Sequence, residues 1–201
     1  MTLFLVRHGE TTWNRDGKIQ GWADSSLTEP GRRQARAVGA RLAAEGVDRL
    51  VVSDLQRTRE TAAVLGEAGV EVAPMFERAW RERDFGEYRG LTRAEVATRH
   101  DHYDPDGSLV AIEDVPEGEL LDDFEERVRA GLDAVAADLD GDETAVVVTH
   151  SGAIRAAVAA VTGRDLGTLA REWSPDNCGL TAIECVGDRS IRFRDDTAHL
   201  D

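Results

Sequence analysis

The fold is decided near the N-terminus by residues 3–14, which read LFLVRHGETTWN. The four apolar residues predict a short buried strand, and Gly9, directly after Arg7 and His8, allows the backbone to turn sharply. In an open α/β sheet, ligands bind at the carboxyl ends of the strands. A strand that ends in Arg7 and His8 can therefore deliver an anion-binding group and a reactive group to one point, although a solvated surface pair explains this stretch alone almost as well.

The length and composition predict one globular domain. The chain has 201 residues, of which 41% are hydrophobic and 31% charged, enough for a full hydrophobic core. We expect a single domain over residues 1–201, with an insertion of loops and helices at about 77–140 that lies over the active site. The two cysteines, Cys178 and Cys185, lack the spacing of a metal site or redox pair, so we expect two small buried thiols.

The charge balance excludes some classes of partner. A net charge of −15 argues against nonspecific nucleic-acid binding, which needs a basic surface. The sequence has no apolar run of 18 residues and no signal-peptide pattern, so we expect no membrane association and a cytoplasmic location. Lys18 is the only lysine. The oligomeric state stays open, with a homodimer as one alternative.

Strand and helix signals alternate along the chain. Strands are predicted at 3–6, 47–52, 70–73, 144–149, 180–186 and 190–194. Helices are predicted at 29–45, from the 53–58 cluster to about 65, from the Thr92 capping box onward, at 120–139, at 153–161 and at 166–171. This order predicts an α/β fold: a three-layer sandwich with a mostly parallel central sheet and helices on both faces.

Two segments show neither the periodicity of a helix nor that of a strand. Residues 77–91 are dense in charge and contain aromatic residues and two glycines, while residues 100–118 contain two prolines and several acidic residues. We expect the second segment to form a surface loop beside the site, of the kind that acts as a lid or a specificity element.

Ligand-capable groups follow three of the predicted strands: Arg7 and His8, then Arg57, then His150. If these strands are parallel neighbours, the groups meet at one edge of the sheet, where two arginines can clamp a tetrahedral dianion. The amides after His150, at the start of a helix, could add dipolar stabilisation. A neutral histidine there can act as a nucleophile, and residues 77–91 supply a carboxyl group to protonate the leaving oxygen. Metal-dependent hydrolysis is disfavoured because no HxH or HxxEH spacing is present.

These motifs together resemble the signature of the histidine phosphatase superfamily, the phosphoglycerate-mutase-like proteins. The resemblance rests on segments that occur in the family's order and span residues 3 to about 155: RHGET with Asn14, Gln20-Gly21, Asp24, Leu27-Thr28, SDLQRT at 53–58, ERDFG at 82–86 with Gly90, PEGE at 116–119, and THSG at 149–152 with Arg155. Asn177-Cys178 resembles a further family position.

The resemblance implies roles for particular residues. His8 would be the nucleophile that forms a phosphohistidine, and Glu82 the general acid and then the base. Arg7, Arg57 and His150 would bind the phosphoryl oxygens, with help from Asn14. The leaving group is expected to contact Gln20, Gly21, Trp22, Arg93 and Ser151. The substrate would be a small phosphorylated metabolite, and no metal or organic cofactor is required.

The resemblance leaves a choice between phosphatase and mutase. The chain is short for a mutase, the 100–118 loop is acidic and lacks an arginine pair, and Ser151-Gly152 and Phe85 stand where mutases usually carry Gly-Asn and tyrosine. Arg93 could replace the lysine with which mutases hold substrate. We therefore expect a phosphatase, with a bisphosphoglycerate-dependent phosphoglycerate mutase as the alternative. A non-catalytic phosphate-binding module is a further alternative, which the presence of His8 and Glu82 disfavours.

Overall fold

The computed structural model describes residues 1–99 and 108–200, and its centre is a single sheet. The strands are β1 Thr2–Arg7, β2 Arg49–Val52, β3 Pro74–Phe76, β4 Thr144–Thr149, β5 Leu180–Glu184 and β6 Ser190–Asp196. They lie in the order β3-β2-β4-β1-β5-β6. The first four strands in the chain are parallel to one another, β5 is antiparallel to β1, and β6 is antiparallel to β5. The predicted mostly parallel sheet is confirmed.

Helices cover both faces of the sheet. They are α1 Thr12–Arg15, α2 Glu29–Ala43, α3 Gln56–Glu67, α4 Arg93–Arg99, α5 Leu121–Ala137, α6 Ser151–Thr162 and α7 Leu166–Glu172. One core joins α2 and α3 to the sheet, and a second joins α5, α6 and α7 to its other face. The three-layer prediction is therefore confirmed, while the single-turn helix α1 was not predicted. Within residues 1–99 and 108–200, none of the helices has both the length and the apolarity to span a bilayer.

Alternation within the strands builds the two cores. In β1, Leu3 and Leu5 belong to the core under α5 and α6, whereas Phe4 and Val6 belong to the core under α2 and α3. All six residues of β4 are buried, because this strand lies between two others and is covered on both faces. Each such aliphatic side chain contributes about 1.5–3 kcal/mol on burial, so the centre of the sheet is a rigid support for the loops that follow it.

The third strand was predicted wrongly. Residues 70–73 do not form a strand; the strand begins at Pro74, where the sequence pattern suggested that it would stop. The Val70 amide donates to the carbonyl of Leu65, so Val70 closes the end of α3 instead. β3 lies at the edge of the sheet, and a proline is tolerated there at the first position of a strand because the missing N–H need not pair.

The carboxyl ends of β1, β4 and β2 meet at one edge because the three strands are parallel neighbours. A small third core packs above this edge, and it consists of Ile19, Phe85, Tyr88, Val96 and Val115. It holds the irregular 77–91 segment, which contains two single turns of 3-10 helix, at Arg78–Trp80 and Gly86–Tyr88. The segment from 77 to 140 lies between β3 and β4, and its last part, α5, packs on the sheet.

Candidate active site

His8 follows β1 directly and is almost completely buried. Its Nδ1 lies 2.8 Å from the carbonyl oxygen of Gly9. Since a carbonyl can only accept, Nδ1 carries the hydrogen, and the lone pair of the neutral ring is on Nε2. Burial, together with the positive charges of Arg57 and Arg7, holds the pKa of His8 well below its usual value. At neutral pH His8 is thus an uncharged imidazole with a free lone pair.

His150, after β4, forms a second neutral histidine in the same place. Its ring centre lies 5.3 Å from that of His8. The Nε of Arg57 donates to Nδ1 of His150 at 3.1 Å, so His150 carries its hydrogen on Nε2 and donates it to Oγ of Ser53 at 2.8 Å. Burial is the main cause that keeps the pKa of His150 well below its usual range, and the charge of Arg57 adds to it.

Arg57 is the second residue of α3 and is fully buried. Besides His150, it donates to the carbonyl oxygens of Ala23 at 3.0 Å and Gly21 at 2.7 Å. Burial lowers its pKa to about 10, which leaves it charged at neutral pH. Three of its five N–H groups are thus engaged by the protein, which fixes the plane of the guanidinium and leaves two hydrogens for a ligand.

Arg7 is the last residue of β1 and directly precedes His8. One guanidinium nitrogen donates to the carbonyl of Pro175 at 2.6 Å, and its buried Nε has no hydrogen-bond partner among the described residues. The backbone at this point is held from the side by the 177–178 turn: the Asn177 side chain donates to the carbonyl of His8 at 2.8 Å, and the Cys178 amide donates to the carbonyl of Arg7 at 2.9 Å. A buried, incompletely paired guanidinium suits an anionic ligand.

Asn14 lies on α1, close to Arg7. Its side-chain oxygen accepts from the amide and the hydroxyl of Thr11, both at 3.1 Å. The group that Asn14 can offer a ligand is therefore its Nδ2 amine.

The Glu82 carboxylate lies against the start of α6. Oε2 accepts from the amide of Gly152 at 3.0 Å, and Oε1 accepts from the amide of Arg83 at 3.0 Å. The sequence suggested that the amides after His150 would stabilise a bound anion. The Gly152 amide donates instead to this carboxylate of the protein itself, so the suggestion does not hold for that amide.

The backbone of Glu82 is fixed from three sides. Trp22 donates its indole N–H to the carbonyl of Glu82 at 2.7 Å. Arg127, on α5, donates to the carbonyls of residues 78, 79, 81 and 82 and forms a two-point ion pair with Glu119, with both N···O distances 2.7 Å. Oε2 of Glu119 in turn accepts from the amide of Asp84 at 3.3 Å. One guanidinium therefore determines the path of the chain on both sides of Glu82.

Arg83, the next residue, is a fully buried cation. It donates to the carbonyls of Glu119 and Val110 at 3.0 Å, and also to those of Ile112 and Glu113. These carbonyls belong to the segment that contains Leu109, a residue of the cavity wall. Arg83 therefore ties that wall to the chain that carries Glu82.

A cavity of about 270 Å³ joins these groups. Its lining contains the catalytic candidates His8 and Glu82, and the basic residues Arg7, Lys18, Arg57, Arg93 and Arg155. The remaining lining residues are Trp13, Asn14, Gly17, Ile19, Gln20, Gly21, Phe85, Leu109, Ser151 and Ser174. His150 lies behind this lining, next to His8 and Arg57. The described residues contain no group of three or more histidine, cysteine or acidic side chains arranged to hold a metal ion.

Four of the five residues predicted to contact the leaving group line the cavity. Gln20, Gly21, Arg93 and Ser151 line the cavity. Trp22 lies outside the lining, and its indole is stacked near Arg81, with the guanidinium carbon 4.8 Å from the ring centre. Its observed role is to hold the Glu82 backbone. Residues 100–107, most of the first half of the predicted 100–118 loop, lie outside the described residues.

Arg155 is a lining residue to which sequence reasoning assigned no role. It follows Ser151 by four positions on α6, so the two side chains share a face of the helix. It donates to the hydroxyl of Ser151 at 2.7 Å and to the carbonyl of Ala170 at 3.2 Å. Burial lowers its pKa to about 10, and the nearby charge of Glu82 opposes this shift. Two signals were available in the sequence: Arg155 is one of the positions that carry the resemblance, and it follows Ser151 by four residues.

The comparison with protein families matches residues 3–194 to the histidine phosphatase superfamily (branch 1). The chain belongs to this superfamily. It is 36% identical over 192 residues to the probable phosphoglycerate mutase GpmB of Klebsiella pneumoniae subsp. pneumoniae, covering 92% of this chain and 85% of that one. It is also 37% identical over 156 residues to phosphoglycerate mutase-like protein 4 of Arabidopsis thaliana, covering 76% and 67%.

Solved structures share the fold. YhfR of Bacillus stearothermophilus is 30% identical, with a TM-score of 0.84 and coverage of 100% of this chain and 99% of that one. The mycobacterial glucosyl-3-phosphoglycerate phosphatase, solved in complex with VO3, is 27% identical with a TM-score of 0.84, covering 98% and 99%. Membership of the family is thus supported by sequence and by fold, and the resemblance drawn from the motifs is confirmed.

Proposed function

We propose that this protein is a phosphomonoesterase that hydrolyses a small phosphorylated metabolite through a phosphohistidine on His8. The observation that carries the proposal is the hydrogen bond from Nδ1 of His8 to the carbonyl of Gly9, which leaves the Nε2 lone pair free in an arginine-lined cavity. The depressed pKa of His8 keeps this lone pair available at neutral pH. Family membership supports the same assignment.

In the first step, Nε2 of His8 attacks phosphorus and the bond to the ester oxygen breaks. Arg7 and Arg57 bind the phosphoryl oxygens, with the Nδ2 amine of Asn14 as a further donor, and these contacts strengthen as charge spreads over the oxygens in the transition state. The sequence assigned His150 to the phosphoryl oxygens as well. Since both of its ring nitrogens have partners, Arg57 and Ser53, we assign it the orientation of the Arg57 guanidinium. Glu82 in its acid form gives a proton to the departing alkoxide, which leaves as the alcohol.

In the second step, water attacks the phosphohistidine. Glu82, now a carboxylate, takes the proton from the water as the P–N bond breaks, so inorganic phosphate and neutral His8 are restored. Each group then returns to its starting state, and no cofactor enters the cycle. The binding of Glu82 to two backbone amides, those of Gly152 and Arg83, keeps the same carboxylate in place for both steps.

A phosphoglycerate mutase is the second candidate, because several relatives bear that name with the qualifier probable and because Arg93 lines the cavity. In a mutase the phosphohistidine returns its phosphoryl group to a second hydroxyl of the substrate instead of to water. The solved phosphatase with 27% identity favours transfer to water.

The test is to trap the intermediate and follow its fate. We expect wild-type protein to hydrolyse p-nitrophenyl phosphate in the presence of EDTA and, after an acid-free quench, to carry a base-stable, acid-labile phosphoryl group on His8. His8→Ala should lose both the label and at least about 1000-fold in kcat, whereas Arg164→Gln, a surface variant, should retain both. Full activity of His8→Ala would contradict the proposal. Conversion of 3-phosphoglycerate to the 2-isomer, dependent on 2,3-bisphosphoglycerate and faster than hydrolysis, would favour the mutase.

A further inference from the structure

Asp195 occupies a strained position in β6. Its φ is 54°, a left-handed conformation that residues with a side chain adopt only at a cost in free energy. The pairing of β6 with β5 shifts in register between Leu180 and Ala182, so that residues 194 and 195 together face Thr181. The amide of Asp195 donates to the hydroxyl of Thr181 at 3.2 Å. This arrangement is a β-bulge, a device that redirects a side chain out of the regular ladder.

The redirected carboxylate of Asp195 fixes both ends of the loop that follows α7. Oδ1 accepts from the amide of Asp176 at 2.8 Å, and Oδ2 accepts from the indole N–H of Trp173 at 3.2 Å. Space for the carboxylate depends on Gly179, because a methyl group there would overlap Oδ1. One side chain of β6 therefore determines the path of residues 173–176.

That loop contains Pro175, whose carbonyl accepts from the guanidinium of Arg7 at 2.6 Å. Within the part of the chain that the structure describes, this carbonyl is the one hydrogen-bond partner of the Arg7 guanidinium, and its buried Nε has none. Arg57, in contrast, is held by three protein partners. The orientation of Arg7 consequently depends on how firmly the Pro175 carbonyl is held.

The charge of Asp195 does not by itself favour a bound anion. Burial lowers the pKa of Arg7, and the negative charges of Glu82, Asp176 and Asp195 oppose that shift. A carboxylate close enough to act on Arg7 also repels a phosphoryl group bound to Arg7. The benefit of Asp195 to an anion site must therefore come from the loop that it holds.

We infer that Asp195 is a positioning residue, which holds the guanidinium of Arg7 in its phosphoryl-binding orientation through residues 173–176 and the carbonyl of Pro175. The inference rests on the proposed function, which gives Arg7 this task. Asp195 acts from behind, because it does not belong to the cavity lining. A guanidinium that is fixed in advance loses less side-chain freedom when the anion binds, so binding is tighter.

The experiment measures kcat/KM for p-nitrophenyl phosphate and, by calorimetry, the Kd for inorganic phosphate in Asp195→Gly. Glycine accepts the positive φ, so the bulge is kept while the carboxylate is removed. We expect kcat/KM to fall about tenfold and Kd to rise about three- to tenfold. Loss of the negative charge alone would lower Kd instead, so the direction of the change separates positioning from charge. Asp188→Gly, which replaces an exposed residue between β5 and β6, is the matched control and should change neither quantity.

A double-mutant cycle tests whether Asp195 acts through Arg7. Arg7→Lys keeps the positive charge but removes the planar, fork-shaped guanidinium. Asp195→Gly should weaken phosphate binding in the wild-type background and should change Kd less than about twofold in the Arg7→Lys background, since no guanidinium is left to orient. An equal loss in both backgrounds would overturn the inference.

Asp195→Asn keeps the inference testable if Asp195→Gly does not fold. Asparagine also accepts a left-handed conformation, but its single acceptor oxygen cannot hold both Asp176 and Trp173, so we expect a smaller loss in the same direction. Unchanged or tighter phosphate binding in the folded Asp195 variants would overturn the inference, while a phosphohistidine on His8 would uphold the proposed function. Absence of that phosphohistidine in wild type would contradict the proposed function, and the calorimetric cycle, which needs no turnover, would still decide the role of Asp195.

Discussion

The amide nitrogen of Gly152 lies 3.0 Å from Oε2 of Glu82, and a methyl group on Gly152 would overlap Oε1 of the same carboxylate. The carboxylate of Glu82, the proposed acid and base, therefore packs against the first turn of α6, and it occupies the space that a side chain at position 152 would need. This contact joins the irregular 77–91 segment to the helix that begins after His150.

Replacing Gly152 by alanine should displace the Glu82 carboxylate. Because an error of about 1 Å in a catalytic group can cost about 100-fold in rate, we expect kcat for p-nitrophenyl phosphate to fall by about that factor, with a smaller change in KM. The matched control is Gly66→Ala in α3, where the methyl group meets nothing within 4 Å. It should stabilise the helix by about 0.5–1 kcal/mol and leave kcat unchanged. Equal kcat in the two variants would refute this role of Gly152.

Arg127 should act as a positioning residue for Glu82. Arg127→Gln removes the ion pair with Glu119 and the donors to the carbonyls of residues 78–82, so we expect kcat to fall about 10- to 100-fold with little change in KM. Arg127→Lys should recover only part of the activity, since an ammonium cannot form the two-point pair. Arg129→Gln, which replaces an exposed residue two positions on, is the control. If kcat of Arg127→Gln equals that of Arg129→Gln, or if Arg127→Gln changes KM as much as kcat, Arg127 does not position Glu82.

Stability should decrease as pH falls below about 6.5. The pKa values of His8 and His150 are depressed in the folded protein, so the unfolded chain binds more protons below the ordinary histidine pKa. Each neutral histidine therefore contributes stability that is fully present above about pH 6.5 and is lost toward the folded pKa, at about 1.4 kcal/mol per pH unit. The free energy of unfolding, measured with denaturant between pH 5 and 7.5, should depend less steeply on pH for His8→Asn and His150→Asn than for wild type. If the unfolding free energy depends equally on pH in all three proteins, His8 and His150 are not the buried neutral histidines that cause the effect.

Cys178 should be unreactive in the folded protein. Burial raises the pKa of its thiol to about 12, so only about one molecule in ten thousand carries the thiolate at pH 8. Labelling of Cys185→Ala with a disulfide reagent should therefore proceed no faster than unfolding, and it should slow further with inorganic phosphate, because the Cys178 amide holds the carbonyl of Arg7. Rapid labelling of native protein would show that the 177–178 turn opens.

The sequence predicted the part of the site that depends on strand order. His8 and His150 follow short apolar runs that predict buried strands, and parallel neighbours bring such positions together at one sheet edge. Arg57 was placed correctly for the same reason, although it belongs to the first turn of α3 and not to a loop. The third strand was predicted wrongly because Pro74 was interpreted as the end of a strand, whereas the first position of an edge strand accepts a proline, and edge position is set by the whole sheet.

The surroundings of Glu82 could not be predicted from local pattern. Its segment has no helix or strand period, and its position depends on Arg127, 45 residues away, and Trp22, 60 residues away. Trp22 was expected to contact the leaving group because it lies in the loop close to the first strand. Nothing in the sequence around residue 22 indicates its hydrogen bond to the carbonyl of Glu82. A helix start after His150 suggested free amides, since the sequence cannot show that a carboxylate of the same chain occupies one.

The loop that carries His8 also meets α2 backbone against backbone. A methyl group on Gly9 would overlap the carbonyl of Gly31, and one on Gly31 would overlap the backbone of Glu10. A side chain at either position would clash with backbone atoms of the other segment, and a second substitution does not remove backbone atoms. A library randomised at both sites should therefore return only the parental pair among active clones, so the freedom of this protein to acquire new substrates lies in its cavity rim and not in the turn beneath its nucleophile.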